Sequence, residues 1–360
     1  MASPRDRLPT QSPPATPEMW FLDDARILGG GQRFALKLAA AASAREPAIR
    51  CVMVCPQDSQ LAASSRVLGL EVLHATFPAV SPPSARSPRA ILALRHVLAD
   101  APQNAIFVAN SPRTQAYAAA ARLLSGDAHP VVNLEHEQDT AARRVARATL
   151  RRGGRVVAIG ANTAEVYQRA LPGVTVRKIN NVLPAPELDS ALDARARAVR
   201  LAVLARMIPE KGLLELLDEV ATTEHWSTLA IGASPQDHAY ESRVRERIDA
   251  LGLGGRACLH GAVEDVPAFL DAADVLVVPS TGCEGQPTTI IEALARGLQV
   301  LVREPILSDD FGGMPVQSYR DASDFGAALR RLRPSPASVD DIRRRFGAEQ
   351  AIEGLLAAAL

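Results

Sequence analysis

No segment of the 360 residues approaches the ~18 uninterrupted apolar residues of a membrane-spanning helix. The first twenty residues carry no apolar run of the signal-peptide kind. The four cysteines form no CxxC pair and no Cys/His ligand spacing, which excludes a disulfide framework and a structural zinc. Cys51 and Cys55, in CVMVC, share one face of a strand-like segment and read as buried thiols. A reduced, cytoplasmic chain is expected, with peripheral contact at a membrane as the one addition. Net charge is missing too: Lys plus Arg and Asp plus Glu both number 40, so overall charge does not suit a nucleic-acid binder. That balance hides an asymmetry. Residues 1–180 carry 22 basic and 13 acidic side chains, and residues 181–360 carry 18 and 27.

What is present is an ordinary globular composition, 47% hydrophobic and 22% charged, in a chain long enough for two domains. Residues 1–18 hold Pro4, Pro9, Pro13, Pro14 and Pro17 and read as a disordered tail. Short apolar strands are predicted at 50–55, 70–74, 105–109, 130–134, 155–159 and 175–180. Helical segments such as 32–44, 112–124 and 162–170 alternate with them. A Pro-bearing stretch at 182–198 reads as a linker. A second series of strands follows at 200–205, 227–231, 257–260, 274–278 and 299–303. Strands separated by helices imply parallel sheets of βαβ units, here an α/β chain of two doubly wound, Rossmann-like domains. The boundaries expected are 19–184 for the first domain, 185–345 for the second, and a C-terminal helix over 346–360 that packs back on the first. Two such domains would face a central cleft at the carboxyl ends of their strands.

Three stretches carry chemistry. In DVLVVPSTGCEGQPTTIIEALARGLQV, residues 274–300, a buried strand runs into a loop, and Pro287 opens a helix that continues to Gly297. The loop brings Glu284 and the free amides of Gln286, Thr288 and Thr289 to the positive end of a helix dipole, where a diphosphate can bind. Glu292 lies just over one turn inside that helix, placed to accept from a vicinal diol such as a ribose. In VLARMIPEKGLL, residues 203–214, Arg206 and Lys211 project near a strand's carboxyl end, with a helix at about 212–220. The chain has three lysines (Lys37, Lys178 and Lys211) against 37 arginines, so a lysine here suits a compact charge on phosphate. In ILGGGQRFALKL, residues 27–38, three glycines between a strand and a helix permit close backbone approach to phosphate. This is not GxGxxG, so a nicotinamide dehydrogenase ranks far behind.

GGGQ, RMIPEKG and EGQPTTIIEALARG together resemble the family-4 retaining glycosyltransferases with the GT-B fold, the group 1 glycosyl transferases. The likeness runs in order over nearly the whole chain. HGAVEDVPAFLDAADVLVVPS resembles the stretch before the family's E-x7-E motif, and Glu284 and Glu292 have that spacing. The resemblance implies that Arg206 and Lys211 hold the donor diphosphate and that Glu292 holds the nucleotide ribose. It implies that Glu284, with the amides of Gly285, Gln286, Pro287, Thr288 and Thr289 as far as each has one, faces the donor sugar. Gly30 and Gly31 would close on the diphosphate from the other domain. His136, in VVNLEHEQD, matches a histidine that reaches toward the sugar. Ala205 departs from the usual glycine and Gln286 from the usual aromatic or aliphatic residue. VREPILSDDFGGMPV matches too loosely for any role to be carried over.

No carboxylate pair stands out as nucleophile and acid, and no DxD motif offers a metal to a diphosphate. The expectation is therefore a metal-independent transferase without a cofactor, and the resemblance implies that it retains the donor's configuration. Its catalytic residues would be Glu284, His136, Arg206 and Lys211, and its co-substrate a nucleoside-diphosphate sugar, a UDP-sugar ahead of a GDP-sugar. The acceptor would be a hydroxyl of a natural product, glycan or lipid carrier. Arg143, Arg147 and Arg151 recur every fourth residue, with Arg144, Arg152 and Arg155 beside them, and could meet an anionic acceptor or membrane surface. A solvated helix face is the plainer reading. The competing class is a catalytically silent protein of the same fold that binds a nucleotide-sugar or a partner.

Overall fold

The computed structural model describes residues 16–75, 77, 88–126, 129–136, 144, 147, 148, 150, 155–183, 199–282, 284–332 and 337–359. Two parallel sheets form. The first comprises β1 (Glu18–Leu22), β2 (Cys51–Cys55), β3 (Glu71–His74), β4 (Ala105–Ala109), β5 (Val131–Glu135), β6 (Arg155–Ile159) and β7 (Val176–Ile179), in the order β3-β2-β1-β4-β5-β6-β7. The second comprises β8 (Val199–Met207), β9 (Trp226–Pro235), β10 (Ala257–Gly261), β11 (Val275–Val278), β12 (Gln299–Arg303) and β13 (Val316–Tyr319), in the order β10-β9-β8-β11-β12-β13. Helices on both faces make these strands continuous apolar runs: CVMVC and AIFVA are buried at every position. Cys51 and Cys55 are buried free thiols, and burial raises the Cys51 thiol to about 11.

Two strands go beyond those predicted. β1, EMWFL, follows directly on the proline-bearing stretch and is too short to show a period, yet it lies inside its sheet between β2 and β4. β13, VQSY, is an edge strand of mixed polarity, the kind a hydrophobic pattern misses. Nearly all of the predicted linker and of the predicted tail lie outside the described residues. None of the described helices is long and apolar enough to cross a membrane.

By compactness the chain divides into two units. Unit 1 is Met1–Asn133 with Ala148–Arg155 and Ala359–Leu360. Its core packs Trp20, Leu22, Val52, Val54, Phe107 and Tyr117. Unit 2 is Leu134–Arg147 with Val156–Ala358. One face of its β8–β13 sheet buries Leu201, Val203, Leu216, Ile231, Tyr319 and Phe325, and the other Leu276, Ile290, Leu294, Val300 and Phe311. In each sheet the strand order reverses once, between β1 and β4 and between β8 and β11. Loops that leave two such strands diverge to opposite faces and open a crevice beyond their carboxyl ends.

Candidate active site

In unit 2 both motif loops leave the sheet at the reversal point. β8 carries Arg206 at its end and runs into a 3-10 turn, Pro209–Lys211. Gly212 then turns the chain into the Leu213–Ala221 helix at φ +66. Glycine is required there twice over, because a Cβ would also lie 2.0 Å from the carbonyl oxygen of Pro279 at the end of β11. The amides of Thr281 and Gly282 donate to the Glu210 carbonyl at 3.0 and 3.2 Å. The two loops are thus fastened together, and their side chains meet. Lys211 is ion-paired with Glu284, each with 17% of its side chain exposed. Ser280 Oγ donates to the same Glu284 Oε1 at 2.7 Å. Arg206 is exposed, and its side chain makes no hydrogen bond or ion pair with another described residue.

The helix that follows is Thr288–Ala295, shorter at both ends than predicted. Pro287 is its N-cap, held extended at φ −61 and ψ 119, so it precedes the first turn instead of opening it. The chain leaves the helix through Arg296, and Gly297 takes φ +77. No side chain caps the N-terminus. The first amides of a helix have no acceptor within it, so those of Thr288 and Thr289 remain as anion donors. Glu292 is half-buried one turn along.

Gly285 explains how His136 joins the site. A Cβ on Gly285 would lie 2.5 Å from the His136 carbonyl oxygen and 2.7 Å from Thr163 Oγ1, so the Glu284–Gly285 backbone rests directly on His136 and Thr163. His136 follows β5 directly after Glu135, a buried carboxylate whose Oε2 accepts from Tyr167 OH at 2.7 Å. Dense packing disfavours a charged ring and lowers the His136 pKa to about 4. His136 is therefore neutral at pH 7, a hydrogen-bonding group and not a cation. Gln286 is buried with its side chain bonded to Asn180 and Asn181.

Residues that sequence reasoning passed over support the site from below. Arg303, in VREPIL, is ion-paired with Glu219, and its Nε donates to the Pro279 carbonyl at 3.2 Å. Burial outweighs that pairing for the acid and raises Glu219 to about 7. Asp310, in LSDDF, is buried and ion-paired with Lys178, and it accepts from Ala161 N at 2.6 Å and Ser308 Oγ at 2.8 Å. Burial pushes its carboxyl up, but these bonds outweigh it and leave the pKa below the ordinary value. Neither residue belongs to a pattern that could be matched; each is legible only once distant segments meet.

In unit 1, Gly30 and Gly31 begin the Gly30–Ala44 helix behind Gly29, and a Cβ on Gly30 would meet nothing within 4 Å. Asp23, absent from the predicted site, organises this turn from the end of β1. It accepts from Asn110 Nδ2 at 2.6 Å, from Gln32 Nε2 at 3.0 Å and from Ala25 N at 2.8 Å. Asn110 also donates to the Gly31 carbonyl at 3.2 Å, and Gln32 Oε1 accepts from Gly29 N at 3.0 Å. Burial raises the Asp23 pKa against these bonds. Arg143 and Arg151 lie outside the described residues. Arg147 is exposed and donates to the Ala170 carbonyl at 2.7 Å.

Residues 198–332 match the family model "Glycosyl transferases group 1". Over 246 residues the chain is 28% identical to 2-deoxystreptamine N-acetyl-D-glucosaminyltransferase of Streptomyces fradiae, covering 60% of this chain and 57% of that protein. Over 132 residues it is 26% identical to the lipopolysaccharide core biosynthesis mannosyltransferase LpsB of Rhizobium meliloti (strain 1021), covering 35% and 36%. The chain thus matches little more than half the length of the first relative and about a third of the second. Among solved structures, Anabaena Alr3699/HepE in complex with UDP superposes with a TM-score of 0.75 at 17% identity, covering 94% of this chain and 100% of that one. A glycosyltransferase from Rickettsia africae gives 0.76 at 14% identity, covering 95% and 97%. Those likenesses show the fold, and the family model spans the β8–β13 sheet with both motif loops. Residues 198–332 thus resemble the group 1 glycosyltransferases, and the chain has the GT-B fold.

Proposed function

We propose that this chain is a retaining, metal-independent glycosyltransferase that moves a sugar from a nucleoside-diphosphate sugar to a hydroxyl acceptor. The observation that carries the reading is the meeting of Lys211 and Glu284 in the loops that lead to the uncapped Thr288–Ala295 helix, beyond the reversal of the second sheet, with Arg206 near the end of β8. Arg206, Lys211 and the amides of Thr288 and Thr289 offer fixed positive charge to a departing diphosphate, and positive charge set in advance lowers the barrier where negative charge develops. Glu292 would hold the ribose and Glu284 the sugar hydroxyls. Neutral His136 would share a hydrogen bond with the sugar without competing for the diphosphate. The sugar C1–O bond to the diphosphate breaks, the C1–O bond to the acceptor forms on the same face, and the acceptor's proton goes to a leaving phosphate oxygen. UDP is the favoured nucleotide, since HepE has structures with UDP and UDP-glucose. Two named relatives transfer N-acetylglucosamine and mannose.

Nucleotide release from UDP-glucose, UDP-N-acetylglucosamine and GDP-mannose, with EDTA present and NMR of the product's anomeric centre, tests the reading. Slow release without acceptor and a product that keeps the donor's configuration support it. A silent binding protein would bind nucleotide and release none. The acceptor is part of the same proposal: exposed Arg147, with Arg143 and Arg151, would raise the local concentration of an anionic acceptor in the cytoplasm. Added salt should then raise the acceptor's Michaelis constant more than the donor's, and equal effects would remove the arginines from the account.

A further inference from the structure

Gln286 sits one residue beyond the Glu284–Gly285 pair, yet its side chain is only 5% exposed and both ends of its amide are used inside the protein. Oε1 accepts from the Asn181 backbone amide at 2.6 Å. Nε2 donates to Asn180 Oδ1 at 3.0 Å. The Gln286 main-chain carbonyl accepts from Asn181 Nδ2, so Asn181 donates to Gln286 twice. Asn180 is anchored in turn, donating from Nδ2 to the Arg345 carbonyl at 2.9 Å. The apolar part of Gln286 has no slack either. Gly160 stands at φ +80, and a Cβ there would come within 2.6 Å of Gln286 Cβ.

Glu284 therefore lies between two fastenings. Upstream, Thr281 and Gly282 are tied to the Glu210 carbonyl. Downstream, Gln286 is tied to Asn180 and Asn181. Between them, Gly285 rests on His136 and on Thr163, whose buried Oγ1 has no hydrogen-bond partner among the described residues. A buried amide stripped of its partners leaves donors and acceptors unsatisfied, so the loop cannot slide without losing several bonds together.

We propose that Gln286 is a positioning residue that acts through Glu284, holding that carboxylate beside Lys211 and Ser280, and that it does not touch the sugar. This rests on the glycosyltransferase reading and deepens it. A polar clasp of Gln286, Asn180 and Asn181 does the fixing.

The test is a double-mutant cycle. Gln286→Met keeps the volume and removes the hydrogen bonds of the amide; it is measured alone and with Glu284→Gln, reading kcat with donor sugar and the dissociation constant of bare UDP. Displacing a reacting group by about 1 Å costs up to about 100-fold, so kcat in Gln286→Met should fall by about tenfold or more. UDP affinity should stay within about threefold, and adding Gln286→Met to Glu284→Gln should cost little further, because neighbours that act as a unit are not additive. Equal losses in both backgrounds, or a loss of UDP affinity that accounts for the loss of kcat, overturn the proposal. If Gln286→Met does not fold, Asn180→Ala loosens the clasp from its other side and should give a smaller loss of kcat with the same non-additivity; additivity there overturns it equally. Absence of turnover in the wild-type chain would defeat the glycosyltransferase reading and the clasp with it, whereas additivity in an active wild type defeats the clasp alone.

Discussion

Lys211 Nζ is ion-paired with Glu284 Oε1, the same oxygen to which Ser280 Oγ donates. The pair joins the turn after β8 to the loop after β11, so the cation proposed for the diphosphate is held by the carboxylate proposed for the sugar. Each side chain is mostly shielded from water, where losing one partner of a charged pair is felt by the other.

The pairing sets the outcome of Glu284→Gln. Bare UDP should bind with unchanged or a few-fold higher affinity, because Lys211 no longer shares its charge. Sugar transfer should fall by about ten- to 100-fold, as expected when one charged hydrogen bond made in the transition state is removed. Calorimetry with UDP alongside a turnover assay gives both numbers. Weakened UDP binding with intact transfer would reverse the assigned roles.

Two glycines should behave unlike the others. Gly285→Ala puts a methyl group 2.5 Å from the His136 carbonyl and should cost about 1–3 kcal/mol of stability together with most activity. Gly212→Ala combines a 2.0 Å contact with Pro279 and a left-handed φ of +66, and should cost at least as much. Gly254→Ala, where a Cβ would meet nothing within 4 Å, is the control. Denaturant melts of the three rank them, and a Gly285→Ala as stable and as active as the control would contradict the seating of the loop.

Nearly every strand near the site was legible in the sequence, because a parallel strand buried on both faces is an unbroken apolar run. Arg206, Lys211, Glu284 and Glu292 were legible because two loops at one sheet reversal carry them within short motifs. Arg303, Glu219, Asp310 and Asp23 were not. Their partners lie 84, 132 and 87 residues away in the Arg303–Glu219, Lys178–Asp310 and Asn110–Asp23 contacts, so no local pattern marks them. The bonds of Gln286 to Asn180 and Asn181 were not legible for a related reason: only folding brings residues 105 and 106 positions apart together.

His136 should not titrate near neutrality. Its ring is held neutral by burial, with a pKa lowered to about 4 against 6.5 in the unfolded chain. The stability of the neutral, folded form is therefore full above pH 6.5 and declines as pH falls toward 4. Turnover should show no step near pH 6.5, and the imidazole nitrogens of His136 should keep neutral-ring NMR shifts down to about pH 5, a pH above the lowered value. A rate step at pH 6–7 that His136→Gln abolishes would mean the ring is charged in the working enzyme.

Glu219 gives the opposite slope. Burial raises its folded pKa from 4.5 to about 7, so the folded state holds the extra proton between those values. Its stabilising contribution is complete below pH 4.5 and is lost as pH rises through 7, by roughly 3 kcal/mol at most. Glu219→Gln should flatten that part of the stability profile in denaturant melts at pH 5, 6 and 7.5. An unchanged slope would assign the pH dependence elsewhere.

The central claim is that Arg206, Lys211 and a helix N-terminus bind a diphosphate without a metal. Titration calorimetry of UDP in EDTA against the wild-type chain, Arg206→Ala and Lys211→Ala tests it most directly. Wild type should bind, and each variant should bind about ten- to 100-fold more weakly, the loss of one charged hydrogen bond worth about 1.5–3 kcal/mol. Unchanged affinity in both folded variants, or wild-type binding that appears only when manganese is added, would contradict it.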